Sequence, residues 1–296
     1  MERERILEFL AFYTALNRPL TSYELWRLLS PEEKPESFRA LLYIMGDLED
    51  KNLIKEDFGL LIFKPLEKRG DLASLRAKQR EILQEKWNIL LKYTKLFNFI
   101  PFVDFAIVAG SLALGNVSEN SDFDIIIGCS RSKIFTARFF TLFTFQLFGK
   151  RRKSTDTKDE SSNKFCFSHF VTQNSYALRP PYNIYWQQLY LNLVPVFGSE
   201  EKVISFFKSN KWFGKKLVVF DNKWQSKKPS IIRILLELIL STILGGIFES
   251  LLKKIQIARI KKENHPYARI FVSDAELEFH PDLSRINAIV NALEKL

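Results

Sequence analysis

The chain has 296 residues, of which 46% are hydrophobic and 26% charged; this composition excludes a disordered or fibrous chain and indicates an ordinary globular protein. Two cysteines, Cys129 and Cys166, are too few for a disulfide framework and lack zinc spacing, and residues 1–10 lack a signal-peptide layout, so we expect a cytoplasmic protein. The formal charge of +10 is uneven: residues 1–65 hold nine Lys/Arg and twelve Asp/Glu, a net of −3, which leaves +13 on the other 231 residues.

Residues 1–65 show the pattern of three helices followed by a β-hairpin. Apolar residues at helical spacing predict three helices. The first is at 2–16, the second begins after a cap at Thr21 or Ser22, and the third is at about 35–51. Two apolar runs then flank Asp57-Phe58-Gly59, a hairpin signal. This order is typical of a winged helix-turn-helix.

The third of these helices argues against DNA binding. A helix that reads a DNA groove needs basic residues to neutralise phosphates. This one carries more acidic than basic residues: Glu36, Asp47, Glu49 and Asp50 against Arg39 and Lys51. We therefore expect a structural or protein-docking role for residues 1–65.

Residues 66–100 are predicted to form a connecting segment, mostly one long helix at 67–97. Its first turns carry four cations, Arg69, Arg76, Lys78 and Arg80. Two interpretations remain: these cations form a solvated face, or one of them reaches nucleotide phosphates.

The most informative stretch is 108–128. An apolar run ends in Gly110-Ser111, a polar loop follows, and the chain re-enters an apolar run carrying Asp122 and Asp124. Residues two apart in a strand point to the same side, so these two carboxylates are expected to lie together. Like charges held that close repel unless a cation lies between them, and paired carboxylates suit Mg²⁺.

The Gly110-Ser111 pair supplies the complementary chemistry. Glycine allows close approach of a phosphate, and the Ser111 hydroxyl and nearby backbone amides can donate to phosphate oxygens. A phosphate cradle facing a metal pair indicates phosphoryl transfer. The alternative is a polar loop between two buried strands with both aspartates solvated.

This stretch resembles the signature of the DNA polymerase beta superfamily of nucleotidyltransferases, most closely the minimal nucleotidyltransferases. The matching residues are Gly110, Ser111, Asp122 and Asp124, with Ser121 just before the first carboxylate. Ala113 and Gly115 also match, whereas Leu114 stands in place of the arginine common in that motif.

The resemblance implies an α+β catalytic core at 101–180. In it, Asp122 and Asp124 are the catalytic residues and bind Mg²⁺ (or Mn²⁺), while Gly110, Ser111 and Ser121 bind a nucleoside triphosphate. The implied reaction moves a nucleoside monophosphate to an acceptor hydroxyl on a protein, an RNA or a small molecule.

The segment after the motif departs from the superfamily. A helix is predicted at 134–148, and a strand at 164–172. Between them, 150–163 is predicted to be a solvated loop, and the alternative is that its basic cluster at 150–153 contacts nucleic acid or acidic lipid. In the superfamily the strand after this loop often supplies a third carboxylate, and here it has none. Four alternatives remain for that role: Asp156, Asp159 or Glu160 from the loop, or His169, although a histidine on an apolar face is more often a hydrogen-bonded core residue.

Residues 181–296 are expected to be mainly helical, with helices at 182–197 and 200–213, a short strand or loop near 270–272, and a closing helix at 281–296. The apolar run 231–248 is nearly long enough to span a membrane, but Arg233 and Glu237 interrupt it. We expect a buried helix there, with membrane association as the alternative.

Together these patterns predict four segments: 1–65, 66–100, 101–180 and 181–296. They favour a nucleotidyltransferase. The alternatives are a nucleotide-binding sensor that has lost turnover, which Leu114 and the absent third carboxylate favour, and a DNA-binding regulator built on the winged helix.

Overall fold

A computed structural model describes residues 2–67, 71–179, 181–213, 218, 220–226, 228–260, 269–280 and 287. Helices pack around a mixed seven-stranded sheet, and this architecture is compatible with the α+β class predicted from the sequence. A separate two-stranded sheet belongs to the first 65 residues.

The N-terminal unit contains the three helices and the hairpin that the sequence predicts. Its elements are α1 (Glu2–Ala15), α2 (Ser22–Leu28), α3 (Phe38–Asp50), β1 (Ile54–Asp57) and β2 (Leu60–Phe63). Thr21 caps α2 in a capping box, since its side chain accepts from the Glu24 amide while the Glu24 carboxylate accepts from the Thr21 amide. The third helix begins later than predicted because the Ser37 hydroxyl caps it.

The connecting helix α4 (Leu72–Thr94) is shorter than the predicted 67–97. Asp71 caps its start through the Ser74 amide, and a 3-10 turn at Lys95–Phe99 follows its end. Arg69 lies outside the described residues. The helix leads the chain to the first strand of the large sheet.

The large sheet is ordered β7-β6-β3-β4-β5-β9-β8. Its strands are β3 (Val103–Val108), β4 (Phe123–Cys129), β5 (Phe165–Thr172), β6 (Val194–Gly198), β7 (Gln225–Ser226), β8 (Arg269–Val272) and β9 (Glu276–His280). The β4–β5 and β6–β7 pairs are parallel, and the other neighbours are antiparallel. The remaining helices are α5 (Gly110–Leu114), α6 (Ile134–Leu147), α7 (Lys158–Ser161), α8 (Ile184–Leu191), α9 (Glu200–Lys208), α10 (Ile231–Leu240) and α11 (Ile243–Ile260).

Both faces of the central strands are buried, which explains why β3 and β4 read as continuous apolar runs. Phe105 and Ile107 of β3 belong to a core shared with α1, the hairpin, α8 and α9. Ala106 and Val108, on the opposite face, belong to a second core with α4, α6 and α11. Because alternate side chains of β3 point to opposite faces of the sheet, this one strand contributes to both hydrophobic cores.

The prediction of a mainly helical C-terminal region is wrong in part. The predicted helix 182–197 ends at Leu191, and Val194–Gly198 forms β6, because these β-branched and aromatic residues find a partner in β3. The helix predicted at 200–213 ends at Lys208, and residues 276–280 form β9 against β5. The closing helix predicted at 281–296 lies outside the described residues, apart from residue 287.

The apolar run 231–248 is neither one helix nor buried. It divides into α10 and the start of α11, with a bend of 89° between them. Gly245 permits the sharp turn, since a Cβ there would lie 1.8 Å from the Leu240 carbonyl oxygen. Among the described helices, none alone has the length and apolar character needed to cross a bilayer; α10 and α11 meet those criteria only as this bent pair.

Candidate active site

A tight corner at the end of β3 brings the predicted phosphate cradle against the predicted metal pair. Gly110 has a φ of +65°, and a Cβ at this position would lie 2.0 Å from the Asp124 carboxylate oxygen Oδ2. The Ala109 amide donates to the Asp124 carbonyl over 2.9 Å, which fixes the corner on β4. Glycine is therefore required here both for the backbone conformation and for space.

The loop after this corner is held by its own hydrogen bonds. The Asn116 amide donates to the Ser111 carbonyl over 2.8 Å, and the Ser118 amide donates to the Ser121 hydroxyl over 2.9 Å. Ser121 thus lines the site while its hydroxyl serves the loop. Since α5 has a single turn, we attribute any phosphate contact here to the Ser111 hydroxyl and nearby amides, not to a helix dipole.

A buried lysine from α4 anchors the same loop. The Lys86 side chain is 2% exposed, and its Nζ donates to the Glu119 and Ser121 carbonyls over 2.8 Å and to Asn163 Oδ1 over 3.0 Å. Burial lowers the pKa of this amine. Sequence reasoning missed Lys86, because it looks like any helix-surface lysine until the fold brings the loop to it.

Asp124 lies on β4 and Asp122 directly precedes this strand, and their carboxylate oxygens lie within 4.8 Å of each other. Burial, followed by the repulsion of Asp122, raises the pKa of Asp124 to about 7, and the nearby Arg152 guanidinium only partly opposes this. The second carboxylate is therefore costly to ionise without an added positive charge. This electrostatic imbalance is the condition under which a divalent ion binds well.

Cys166 of β5 lies beside the two aspartates. In the parallel β4–β5 pair, Asp124 lies opposite Cys166. Ligand atoms of Asp122, Asp124 and Cys166 lie within 4.8 Å of one another. Burial and the two carboxylates raise the pKa of the Cys166 thiol. The donor set fits a divalent ion through its two carboxylates, with a softer sulfur donor as the third group.

The four alternatives considered for that third position have other partners. Asp156 pairs with Lys164 over 3.0 Å, and Asp159 accepts from the Asn120 amide. Glu160 completes the capping box of α7. His169 is buried and its Nε2 lies 3.1 Å from Glu276 Oε1, so it is a hydrogen-bonded core residue.

Arg152 is a second residue that the sequence did not single out. The segment 150–163 is predicted to be a solvated loop, and most of its residues are exposed, although an isolated bridge and the short helix α7 interrupt it. The Phe165 amide donates to the Lys150 carbonyl and the Arg152 amide to the Phe165 carbonyl, so the start of the segment is fixed to the first residue of β5. Arg152 Nη1 then lies 2.6 Å from Asp122 Oδ2. The basic cluster next to a predicted strand was the available signal.

All five predicted site residues line one groove of about 800 Å³, together with Arg152. Leu16 and Asn17 of the N-terminal unit and Lys78 and Gln79 of α4 form part of its wall. Four cations, Arg69, Arg76, Lys78 and Arg80, are predicted at the start of the connecting helix, and among the described ones only Lys78 lines the groove. Its Nζ lies 2.7 Å from Glu119 Oε1.

Another of those cations, Arg76, is buried and pairs with Glu24 over 2.5 Å. Its charge is thus committed to the N-terminal unit.

Comparison with known proteins gives no further identification. No family model matches the sequence, and no curated protein or solved structure is significantly similar to the chain. The resemblance to the polymerase beta superfamily therefore rests on the motif of residues 110–124.

Proposed function

We propose that this chain is a nucleotidyltransferase dependent on Mg²⁺ or Mn²⁺. It would transfer a nucleoside monophosphate from a nucleoside triphosphate to an acceptor hydroxyl. One observation carries the proposal: Asp122 and Asp124 converge beside the Gly110-Ser111 corner in a single groove. In this proposal the N-terminal unit is a winged helix and residues 101–180 are a polymerase-beta-like core.

The groove residues divide the work of binding. Asp122 and Asp124 would hold the divalent ion, and the ion would supply positive charge to neutralise the α-phosphate during transfer of the nucleoside monophosphate from pyrophosphate to the acceptor hydroxyl. Gly110 and Ser111 receive the β- and γ-phosphates through backbone amides and the serine hydroxyl. The groove volume of about 800 Å³ is in the range of sites for ligands of this size.

Arg152 is placed to respond to the ligand. Its guanidinium pairs with Asp122 at 2.6 Å, and its side chain is 39% exposed and lines the groove. A bound divalent ion would take over that neutralising role. The guanidinium is then free to pair with a triphosphate oxygen, which it can do in a bidentate manner.

A nucleotide-binding sensor is the second candidate, and Cys166 favours it. A thiol whose pKa is raised by burial and by two carboxylates is a poor replacement for a carboxylate ligand at neutral pH. Leu114 in place of the usual arginine points the same way. A DNA-binding regulator is less favoured, because Asp47 of α3 is paired with Arg3 and Lys51 and the helix offers little positive charge.

Purified full-length protein incubated with each α-labelled nucleoside triphosphate tests the proposal. The reactions contain Mg²⁺ or Mn²⁺ and, as acceptors, RNA, protein and small polyols. We expect label transfer with pyrophosphate release, lost in Asp122→Ala and Asp124→Asn and kept in the exposed control Asp159→Asn. Nucleotide binding without pyrophosphate release, unaffected by Asp122→Ala, would establish the sensor instead.

A further inference from the structure

Many large apolar side chains of α10 and α11 are exposed, whereas the polar side chains of Arg233 and Gln256 are buried against the protein. Six large aliphatic residues of α10 and five of α11 are exposed. Among them Ile231 is 77% exposed, Leu238 64%, Ile243 85% and Leu244 70%. A helix on the surface of a water-soluble domain has the opposite arrangement, with its apolar stripe toward the core. We call the exposed aliphatic residues of 231–255 the apolar helix-pair surface.

The polar groups of the pair are used inside the protein. Arg233 has no exposed surface and donates to the Phe97 and Val103 carbonyls over 3.1 and 2.7 Å and to Glu237 over 2.9 Å. Glu237 also accepts from the Phe102 amide. These contacts tie α10 to the sheet by its polar side, so its aliphatic side must face outward.

Two polar residues of α11 also face the protein, although this helix in addition buries Leu252 and Ile260 and exposes Lys254 and Arg259. Glu249 accepts from the Phe135 and Thr136 amides over 2.9 and 2.7 Å and so caps the start of α6. Gln256 is buried and donates to the Phe135 carbonyl over 2.9 Å. Both acidic residues of the pair, at 237 and 249, thus face the protein.

A third helix extends the apolar surface. Phe139, Phe143 and Leu147 form an exposed stripe on α6 at a spacing of four residues. The Phe139 ring lies 5.9 Å from the Phe248 ring of α11, so the stripe is continuous with the helix pair. Contiguous apolar patches larger than a few hundred Å² are rare on monomeric soluble proteins and mark interaction sites.

The charges at the ends of the surface are basic. Lys228 precedes α10, and Lys254 and Arg259 lie in the last turns of α11; all three are exposed. Residues 231–260 are all described and include no exposed acidic side chain. A basic rim around an apolar face suits anionic lipid headgroups. In a two-fold dimer formed through this face, the same basic rims would approach each other and repel.

We propose that the apolar helix-pair surface docks the protein on the interface of an anionic phospholipid bilayer. The aliphatic side chains enter the headgroup–acyl boundary, and Lys228, Lys254 and Arg259 lie at the level of the phosphates. Interfacial docking is favoured over spanning because neither α10 nor α11 alone is long and apolar enough to cross a bilayer and the two helices are bent by 89° relative to each other. The docking places the groove of the proposed enzyme at a membrane surface, and it does not depend on that enzyme activity.

Vesicle co-sedimentation of the full-length protein tests this proposal. We expect binding to phosphatidylcholine vesicles that contain phosphatidylglycerol, weaker binding to phosphatidylcholine alone, and loss of the preference with added salt. Leu238→Glu and Leu244→Glu should each lower the partition coefficient by about tenfold or more, because each replaces an exposed aliphatic side chain that would enter the bilayer by a carboxylate. Lys254→Glu should reduce only the preference for anionic lipid.

Phe58→Glu is the matched control, because Phe58 is 87% exposed at the tip of the hairpin, remote in sequence from the pair. It should bind vesicles like the wild type. Circular dichroism of each variant checks that it is folded. No binding to either vesicle, or equal loss in Phe58→Glu, overturns the proposal. So does a dimer in size-exclusion chromatography that Leu238→Glu dissociates while the wild type ignores vesicles, since a second copy would then cover the surface.

Discussion

Removing the charge of Asp124 should stabilise the metal-free protein at neutral pH. Its pKa is raised from 3.8 to about 7, so between these values the folded state holds this proton more tightly than the unfolded chain does. The free energy of unfolding therefore falls as the pH rises through this interval. A shift of about three pKa units corresponds to an upper limit of about 4 kcal/mol.

Asp124 keeps partial contact with solvent, which screens part of this cost. We therefore expect the free energy of unfolding of Asp124→Asn to exceed that of the wild type by about 2 kcal/mol at pH 8. Urea unfolding in the presence of a chelator, at pH values from 5 to 8, measures the effect. The wild type should lose stability across the series, while the variant should lose much less and the two should converge toward pH 5.

Divalent ions should make the wild type more stable than Asp124→Asn, the reverse of the order expected without metal. Mn²⁺ or Mg²⁺ bound by both carboxylates stabilises the folded wild type by mass action, whereas Asp124→Asn should respond weakly. The exposed Asp159→Asn serves as the control and should follow the wild type in both buffers. If Asp124→Asn were less stable than the wild type at pH 8 without metal, the assignment of a strained carboxylate pair would be wrong.

Three further substitutions probe the supports of the site and fold. Lys86→Met should lower the free energy of unfolding by about 2 kcal/mol, measured with urea, because it leaves buried acceptors unpaired; an unchanged midpoint would contradict its anchoring role. Cys166→Asp should tighten Mg²⁺ binding by about tenfold in isothermal titration, since it replaces a soft donor by a hard one, whereas Cys129→Ser should not. Arg233→Met should lower the free energy of unfolding by about 3 kcal/mol in the same urea assay, because it leaves the Phe97 and Val103 carbonyls without their donor. A decrease below about 1 kcal/mol would contradict this role.

Much of the site could be predicted because its determinants are local. The corner at Gly110 and the two aspartates are all within fifteen residues, and the two-residue spacing of the aspartates at the start of β4 predicts that their carboxylates lie close together, as they do. Helix caps are equally local, as the capping box at Thr21 illustrates. In each case the residues that make the contact are neighbours in the chain.

Residues that reach the site from a distance could not be predicted. Cys166 faces Asp124 only through the register of the parallel β4–β5 pair, and Arg152 reaches Asp122 only because its segment pairs with Phe165. The error at 194–197 has the same origin: an apolar run is ambiguous between helix and strand until a partner strand is known. The exposure of the aliphatic residues on α10 could not be predicted either, because an apolar run in a helix normally indicates burial.

The core shared by the N-terminal unit and the sheet has a consequence for how the protein can move. Phe9 and Leu10 of α1 lie in one cluster with Phe105, and the Tyr13 hydroxyl donates to Gln188 Oε1 over 3.1 Å. Leu16, one turn further on, borders the groove. The N-terminal unit is thus held against the sheet and cannot move away without breaking this core. A ligand of the groove would therefore have to enter without displacing this unit.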